Sequence, residues 1–198
     1  MSKLPVTFYR QQDVTVIARQ LLGQHLVTNI NGERTSGIIV ETEAYAGITD
    51  RASHAWNNRR TKRTGIMYAA GGVSYIYLCY GIHYLFNVVT NIQDVPDAVL
   101  IRALQPLEGL PLMQARYQHK IRPSYTSGPG NLCKALGIDP SFNGESLNGH
   151  KVWIEAGSRI PDAQIVATPR IGVQYAGEDA LRLYRYYVEG NRWVSQGK

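Results

Sequence analysis

The spacing of apolar residues divides the chain into helical and extended stretches. Val14, Ile17, Ala18, Leu21 and Leu22 recur at the three-and-four spacing of one helix face. With Asp13 as an N-cap and Gly23 as a stop, this predicts a helix over residues 8–23. His25–Ile30 reads as a short strand, and Asn31-Gly32 is a strong hairpin signal, so the chain should turn back antiparallel. The return strand passes Gly37 and runs into Ile38-Ile39-Val40-Glu41-Thr42-Glu43-Ala44-Tyr45. Residues 46–65 read as loop. Over 73–80 the pattern alternates imperfectly, with Val73, Tyr75, Tyr77 and Cys79 on one face and Ser74, Ile76, Leu78 and Tyr80 on the other. Gly81 then turns the chain into a second apolar strand over 82–89. A further strand is predicted over 98–103, a helix over 106–117 and a polar loop over 118–125. Ser127-Gly128-Pro129-Gly130-Asn131 opens a short helix over 132–136 that stops at Gly137. Strands split by turns follow within 151–155, 164–173 and 182–188.

One stretch departs from simple folding economy. Residues two apart in a strand share a face, so Glu41, Glu43 and Tyr45 project together, with Val40, Thr42 and Ala44 opposite. Glutamate is a poor strand former, and two carboxylates on one face repel. Either the strand leaves the core and both acids are solvated, or the row serves chemistry. Arg102 lies in an apolar strand, so it either faces solvent or is buried against a carboxylate, for which Glu41 or Glu43 is available.

Composition narrows the classes. The chain has 198 residues, 44% apolar and 18% charged, which fits one globular domain with a substantial core. A net charge of +6 suits a polyanionic partner. Thirteen tyrosines against three phenylalanines suit a wet binding surface and base stacking. Cys79 and Cys133 form no C-x-x-C pair and no histidines cluster at ligand spacing, so free thiols in a reducing cytosol are expected and structural zinc is not. No secretory leader and no membrane-length apolar run is legible. The run Arg59-Arg60-Thr61-Lys62-Arg63 is either a solvated face or a phosphate clamp. Ser127-Gly128 at a helix start is either a simple cap or a phosphate cradle. Tyr80, beside a glycine at a hairpin tip, is placed to wedge into something, such as a base step.

Taken together, several motifs resemble the alkyladenine (3-methyladenine) DNA glycosylases of base-excision repair. They are Val40-Glu41-Thr42-Glu43-Ala44-Tyr45, His54, Tyr75-Ile76-Tyr77-Leu78-Cys79-Tyr80-Gly81, Asn87, 100–109, Ser127-Gly128-Pro129 and Arg170-Ile171-Gly172-Val173, in family order over nearly the whole chain. The resemblance implies an α+β single domain with a curved antiparallel sheet and flanking helices, like the carboxy-terminal domain of formyltransferases. It implies that Glu43 deprotonates a water, with Arg102 and the Ile171 carbonyl helping to hold it. Tyr45, His54 and Tyr77 would wall the base pocket, Asn87 would disfavour the amino group of guanine, and Tyr80 would fill the gap left in the duplex. Arg59, Arg60, Lys62, Arg63, Ser127 and Gly128 are candidate backbone contacts, and Glu41 has no implied chemistry. The expected activity is monofunctional excision of alkylated or deaminated purines, without cofactor, metal or strand cleavage. The expected partner is double-stranded DNA holding damaged purines, met by a monomer in the cytoplasm or nucleus and away from membranes. A non-catalytic module that only captures a flipped base is the alternative.

Overall fold

A computed structural model describes residues 2–117 and 125–196. The first apolar face belongs to two short helices, α1 (Val6–Tyr9) and α2 (Val14–Gln20), not to one helix over 8–23. Asp13 makes the break: its backbone is extended, and its carboxylate accepts a hydrogen bond from the Thr15 N–H at 2.8 Å, starting a new helix. β1 (His25–Ile30) and β2 (Glu33–Tyr45) form the expected hairpin. Asn31 and Gly32 have φ of 54° and 86°, as a type I′ turn requires. The second hairpin joins β3 (Ser74–Cys79) to β4 (His83–Thr90).

β5 (Asp97–Glu108) is longer than expected and runs through Pro106. Proline is tolerated because Pro106 sits at a register shift opposite Gly37. The helix expected over 106–117 therefore begins only after Gly109 turns the chain, as α3 (Leu110–Tyr117). α4 (Pro129–Leu136) ends at Gly137 in the left-handed region, as its sequence predicts. β6 (Val152–Glu155), β7 (Ile165–Thr168) and β8 (Arg185–Val188) are each shorter than the stretches read from sequence. After β7 the chain leaves the sheet, and Arg170 is drawn into a buried ion pair with Asp50. The polar loop expected over 118–125 lies, Tyr125 apart, outside the described residues.

The class is α+β. Among the described residues the strands form one antiparallel sheet in the order β3-β4-β5-β2-β1-β6, with β8 added to β2 and β7 to β8. β2 is the trunk: its first half pairs with β1, its second half with β8, and nearly its whole length with β5. Register shifts along β2 and β5 bend the pair, as bulges do, and curl the sheet. One face of the sheet carries the main core, where Ile39, Ala44, Val99, Ile101 and Phe86 pack with Leu132 and Leu136 of α4 and Ile17 and Leu21 beside them. Thr42 points to that side and donates to the Ala18 carbonyl at 2.9 Å. The opposite face is covered by two loop regions. Ala55, Met67 and Tyr68 pack on Tyr75, Val89 and Ala98, while Ala52 packs with Val173 and Ala176.

Glu41 lies on this second face and is fully buried. It accepts from Arg102 Nε at 3.0 Å, Arg185 Nε at 2.7 Å, the Ser195 N–H at 2.7 Å and the Ser195 hydroxyl at 2.8 Å. One carboxylate thus ties β2, β5, β8 and the segment after β8. Removing it strands two arginines away from water, which costs far more than a surface pair. Glu41→Ala is expected to lose about 3–5 kcal/mol in urea unfolding; a loss below about 1 kcal/mol would mean that the cage is dispensable.

Candidate active site

The alternation read from the sequence is realised: Glu41, Glu43 and Tyr45 share the loop-covered face of β2. Two acids there would repel, but β5 places Arg102 between them. Glu41 pairs with Ala103 and Thr42 with Ile101, so Arg102 is the extra residue of a bulge. Its guanidinium contacts Glu41 Oε1 at 3.0 Å and Glu43 Oε1 at 3.2 Å. Burial works against this cation, but the carboxylates of Glu43 and Glu41 outweigh it and raise the Arg102 pKa. Arg102 is therefore charged, and each acid has a counter-ion.

Glu43 is also fully buried. Its Oε1 accepts from the Ile171 N–H at 2.8 Å, and its Oε2 from the Tyr45 hydroxyl at 2.8 Å. Burial, then the nearby Glu43, raises the Tyr45 pKa, so the phenol keeps its proton and remains a donor. The N–H contact of Ile171 to Glu43 is additional to the part in holding the water that the resemblance gives the Ile171 carbonyl. Ile171 is held in place by its neighbour. Arg170 donates bidentately to Asp50 and also to the Ala44 and Asp179 carbonyls, and all of these groups are buried. Asp50 in turn accepts from the Ala46 and Ala52 N–H groups. This pair links the two covering loops, and sequence reasoning missed it because its members are 120 positions apart. Arg185 and Ser195, the other partners of Glu41, were missed for the same reason.

Above Glu43 opens a cleft of about 640 Å³. All three of its hydrogen-bonding or ionic partners, Tyr45, Arg102 and Ile171, line this cleft, as do His54, Tyr77 and Tyr80. The His54 ring meets Tyr77 edge-on at 4.6 Å between centroids. Arg63 donates to His54 Nε2 at 3.3 Å, which leaves the proton on Nδ1 for the Tyr75 hydroxyl oxygen at 2.8 Å. Burial, then Arg63 and Arg59, lowers the His54 pKa to about 4, so the ring is neutral at pH 7. Asn87 lies deeper, in a small recess shared with Tyr45, His54 and Tyr77. Its amide donates to the Tyr75 carbonyl at 3.1 Å.

The remaining candidates are spread around the rim. Tyr80 stands at the hairpin tip, 86% exposed, with φ of 50°. Gly128 lines the cleft at the start of α4, whereas Ser127 makes a bridge to Ala103. Arg63 lines the cleft, Arg59 an adjoining groove, and Lys62 is exposed. Arg60 turns elsewhere, pairing with Asp94 at 2.8 Å and lying 3.7 Å above the Tyr68 ring. His83, Val173 and Tyr175 line the cleft without having been assigned a role. Among the described residues no helix is long and apolar enough to cross a membrane.

Residues 7–192 match the family model described as methylpurine-DNA glycosylase. A relative in Chlamydia abortus named "Putative 3-methyladenine DNA glycosylase" is 48% identical, over 88% of this chain and 92% of its own. Relatives of the same name in Desulfitobacterium hafniense and Natranaerobius thermophilus are 44% and 42% identical, each over 98% of this chain and 99% and 98% of their own. A catalytic protein, and not a passive base-capturing module, is therefore the reading that stands. The match runs through the strand of both carboxylates, the Arg102 strand, the aromatic hairpin and the Ile171 loop, and the chain belongs to the methylpurine-DNA glycosylase family, hydrolases of N-glycosyl bonds in DNA.

Proposed function

We propose that the cleft receives a damaged purine flipped out of duplex DNA and that Glu43 activates the water that releases it. The observation carrying this reading is the buried Glu43 carboxylate, whose partners Tyr45, Arg102 and Ile171 are themselves cleft-lining groups. Oε1 accepts from the Ile171 N–H and faces the Arg102 guanidinium, while Oε2 has one donor and a free lone pair. That lone pair accepts the water proton. The water oxygen attacks the sugar carbon, the carbon–nitrogen bond breaks, and the base leaves with the electron pair. Positive charge builds on the sugar in this transition state, and the carboxylate stabilises it. Unused donors of Arg102 and the Ile171 carbonyl, whose N–H is already committed, orient the water.

The same geometry supports alkylated purines as substrates, with 3-methyladenine first and 7-methylguanine, which keeps the amino group of guanine, after it. Such bases are cationic. Tyr45 and Tyr77 offer electron-rich faces, which attract cations. A protonated histidine would repel them, and the neutral state of His54 removes that repulsion. Hypoxanthine and ethenoadenine fit the same aromatic walls, because stacking is tolerant of base identity. Asn87 at the recess floor opposes the amino group of guanine. Flipping costs a few kcal/mol of unstacking, and Tyr80 offsets part of it by filling the gap. The protein acts as a monomer, with Arg59, Arg63, Lys62 and Gly128 against the DNA backbone.

Three outcomes are expected. Glu43→Gln lowers single-turnover base release by about 10²–10⁴-fold while damaged duplex still binds; retained release would remove Glu43 from its role. Tyr80→Ser shrinks the fluorescence change of a reporter base at the lesion, and an unaltered signal would eliminate the wedge. The third outcome concerns pH. Because folding lowers the His54 pKa from 6.5 to about 4, the unfolded chain takes up this proton first as pH falls. The His54 contribution to stability is full above pH 6.5 and declines from there down to about 4. His54→Gln should flatten the fall of the unfolding midpoint across that window; an equally steep fall would place the titration elsewhere.

A further inference from the structure

Beside the cleft runs a second groove of about 520 Å³, lined by Arg51, Trp56, Arg59, Arg63 and Tyr175. His54, Arg63 and Tyr175 line both, so the groove and the cleft are continuous. Its chemistry is unlike that of a solvated loop. Arg51, Arg59 and Arg63 have no carboxylate within ion-pair distance among the described residues, although Arg60 beside them does. Trp56 is 48% exposed among these cations. An exposed tryptophan forfeits much of the burial energy that a large ring normally gains.

The loop that presents these groups is built rigidly. Ala55 is fully buried in the cluster formed with Met67 and Tyr75. Its carbonyl accepts from the Arg59 N–H at 3.2 Å, closing the turn that carries Trp56. Asn57 and Asn58 inside that turn both adopt left-handed angles, φ 55° and 56°, which asparagine tolerates best after glycine. The buried Thr64 hydroxyl donates to the Arg59 carbonyl at 2.8 Å, and Thr61 and Thr64 bond each other. Trp56 and Arg59 are therefore held out by a closed hydrogen-bonded frame.

An aromatic face set among unpaired arginines is the arrangement that binds single-stranded nucleic acid: bases stack, phosphates meet cations, and sequence is immaterial. We propose that this groove is a second nucleotide site, in which an unpaired base of single-stranded DNA stacks on Trp56 while Arg51 and Arg59 hold the neighbouring phosphates. The proposal rests on the cleft being the base site, since the shared walls make the groove its approach. It extends the working surface from one flipped nucleotide to an adjacent unpaired stretch. A paired base could not present its face to Trp56, so the site selects strands that are already open.

The test uses the full chain and a short oligothymidylate. Of the other tryptophans, Trp153 is buried and Trp193 partly so, and Trp56 dominates any quenching by added bases. Oligothymidylate should quench the emission of the wild type and not of Trp56→Phe. By anisotropy, Trp56→Ala should bind the oligonucleotide roughly tenfold more weakly. Arg51→Ala and Arg59→Ala should each lower the salt slope by about 0.7. Inorganic polyphosphate should not quench. Unquenched wild-type emission, an unweakened Trp56→Ala, or equal quenching by polyphosphate overturns the stacking site. The unfolding midpoint of Trp56→Ala should stay well above the assay temperature, because only about half of the residue is buried, so weakened binding cannot be assigned to misfolding. Release of bases from methylated duplex by the wild type is measured in parallel. Its failure with oligothymidylate binding intact would sink the excision reading and leave the groove standing; the reverse result would sink the groove alone.

Discussion

A guanidinium held between two buried carboxylates governs the architecture around the site. Glu41 and Glu43 lie two positions apart on one strand face, and neither has solvent to screen it. Buried charges persist only when paired and hydrogen-bonded, and Arg102 pairs both. The bulge that leaves Arg102 unpaired in the backbone register is the local device that lets it reach them. Arg185 and Ser195 complete the shell around Glu41, and neither of them lines the cleft. The two acids have thus been given different work by their neighbours. Glu41 anchors strands and the segment after β8, whereas the partners of Glu43, Tyr45, Arg102 and Ile171, all line the cleft.

A second buried pair plays the corresponding part for the loops. Asp50 and Arg170 join the segment after β2 to the segment after β7 and fix the backbone that brings the Ile171 N–H to Glu43. Irregular backbone is normally the mobile part of a fold. Here it is held by buried charge and by small apolar clusters at Ala52, Val173 and Ala176. The strand that carries Glu43 and its covering loops are consequently one hydrogen-bonded unit, and the neutral His54 sits half-buried within the same cover.

Much of this was legible in the sequence. The Asn31-Gly32 turn, the Tyr80-Gly81 tip and the face shared by Glu41, Glu43 and Tyr45 follow from local rules, and the structure has them. The motif resemblance led to the same family as the comparisons. What local rules missed was decided by distant partners. Pro106 lies in a strand because a bulge opposite Gly37 absorbs it, where proline alone suggests a helix start. Asp13 divides one apolar face into two helices because its cap outweighs periodicity. The partners of Glu41 lie as far away as Ser195, and no spacing rule reaches across 154 positions. The Ile171 N–H was invisible for a further reason: backbone groups leave no mark on a sequence.

We propose that Glu41 serves the reaction only by fixing Arg102 beside Glu43. A double-mutant cycle in single-turnover base release from methylated duplex tests it most directly, with Glu41→Gln, Arg102→Ala and the double variant compared at a temperature where all are folded. If Glu41 acts through Arg102, the double variant is no slower than Arg102→Ala alone. Rate losses that multiply would contradict it, and would give Glu41 a part of its own.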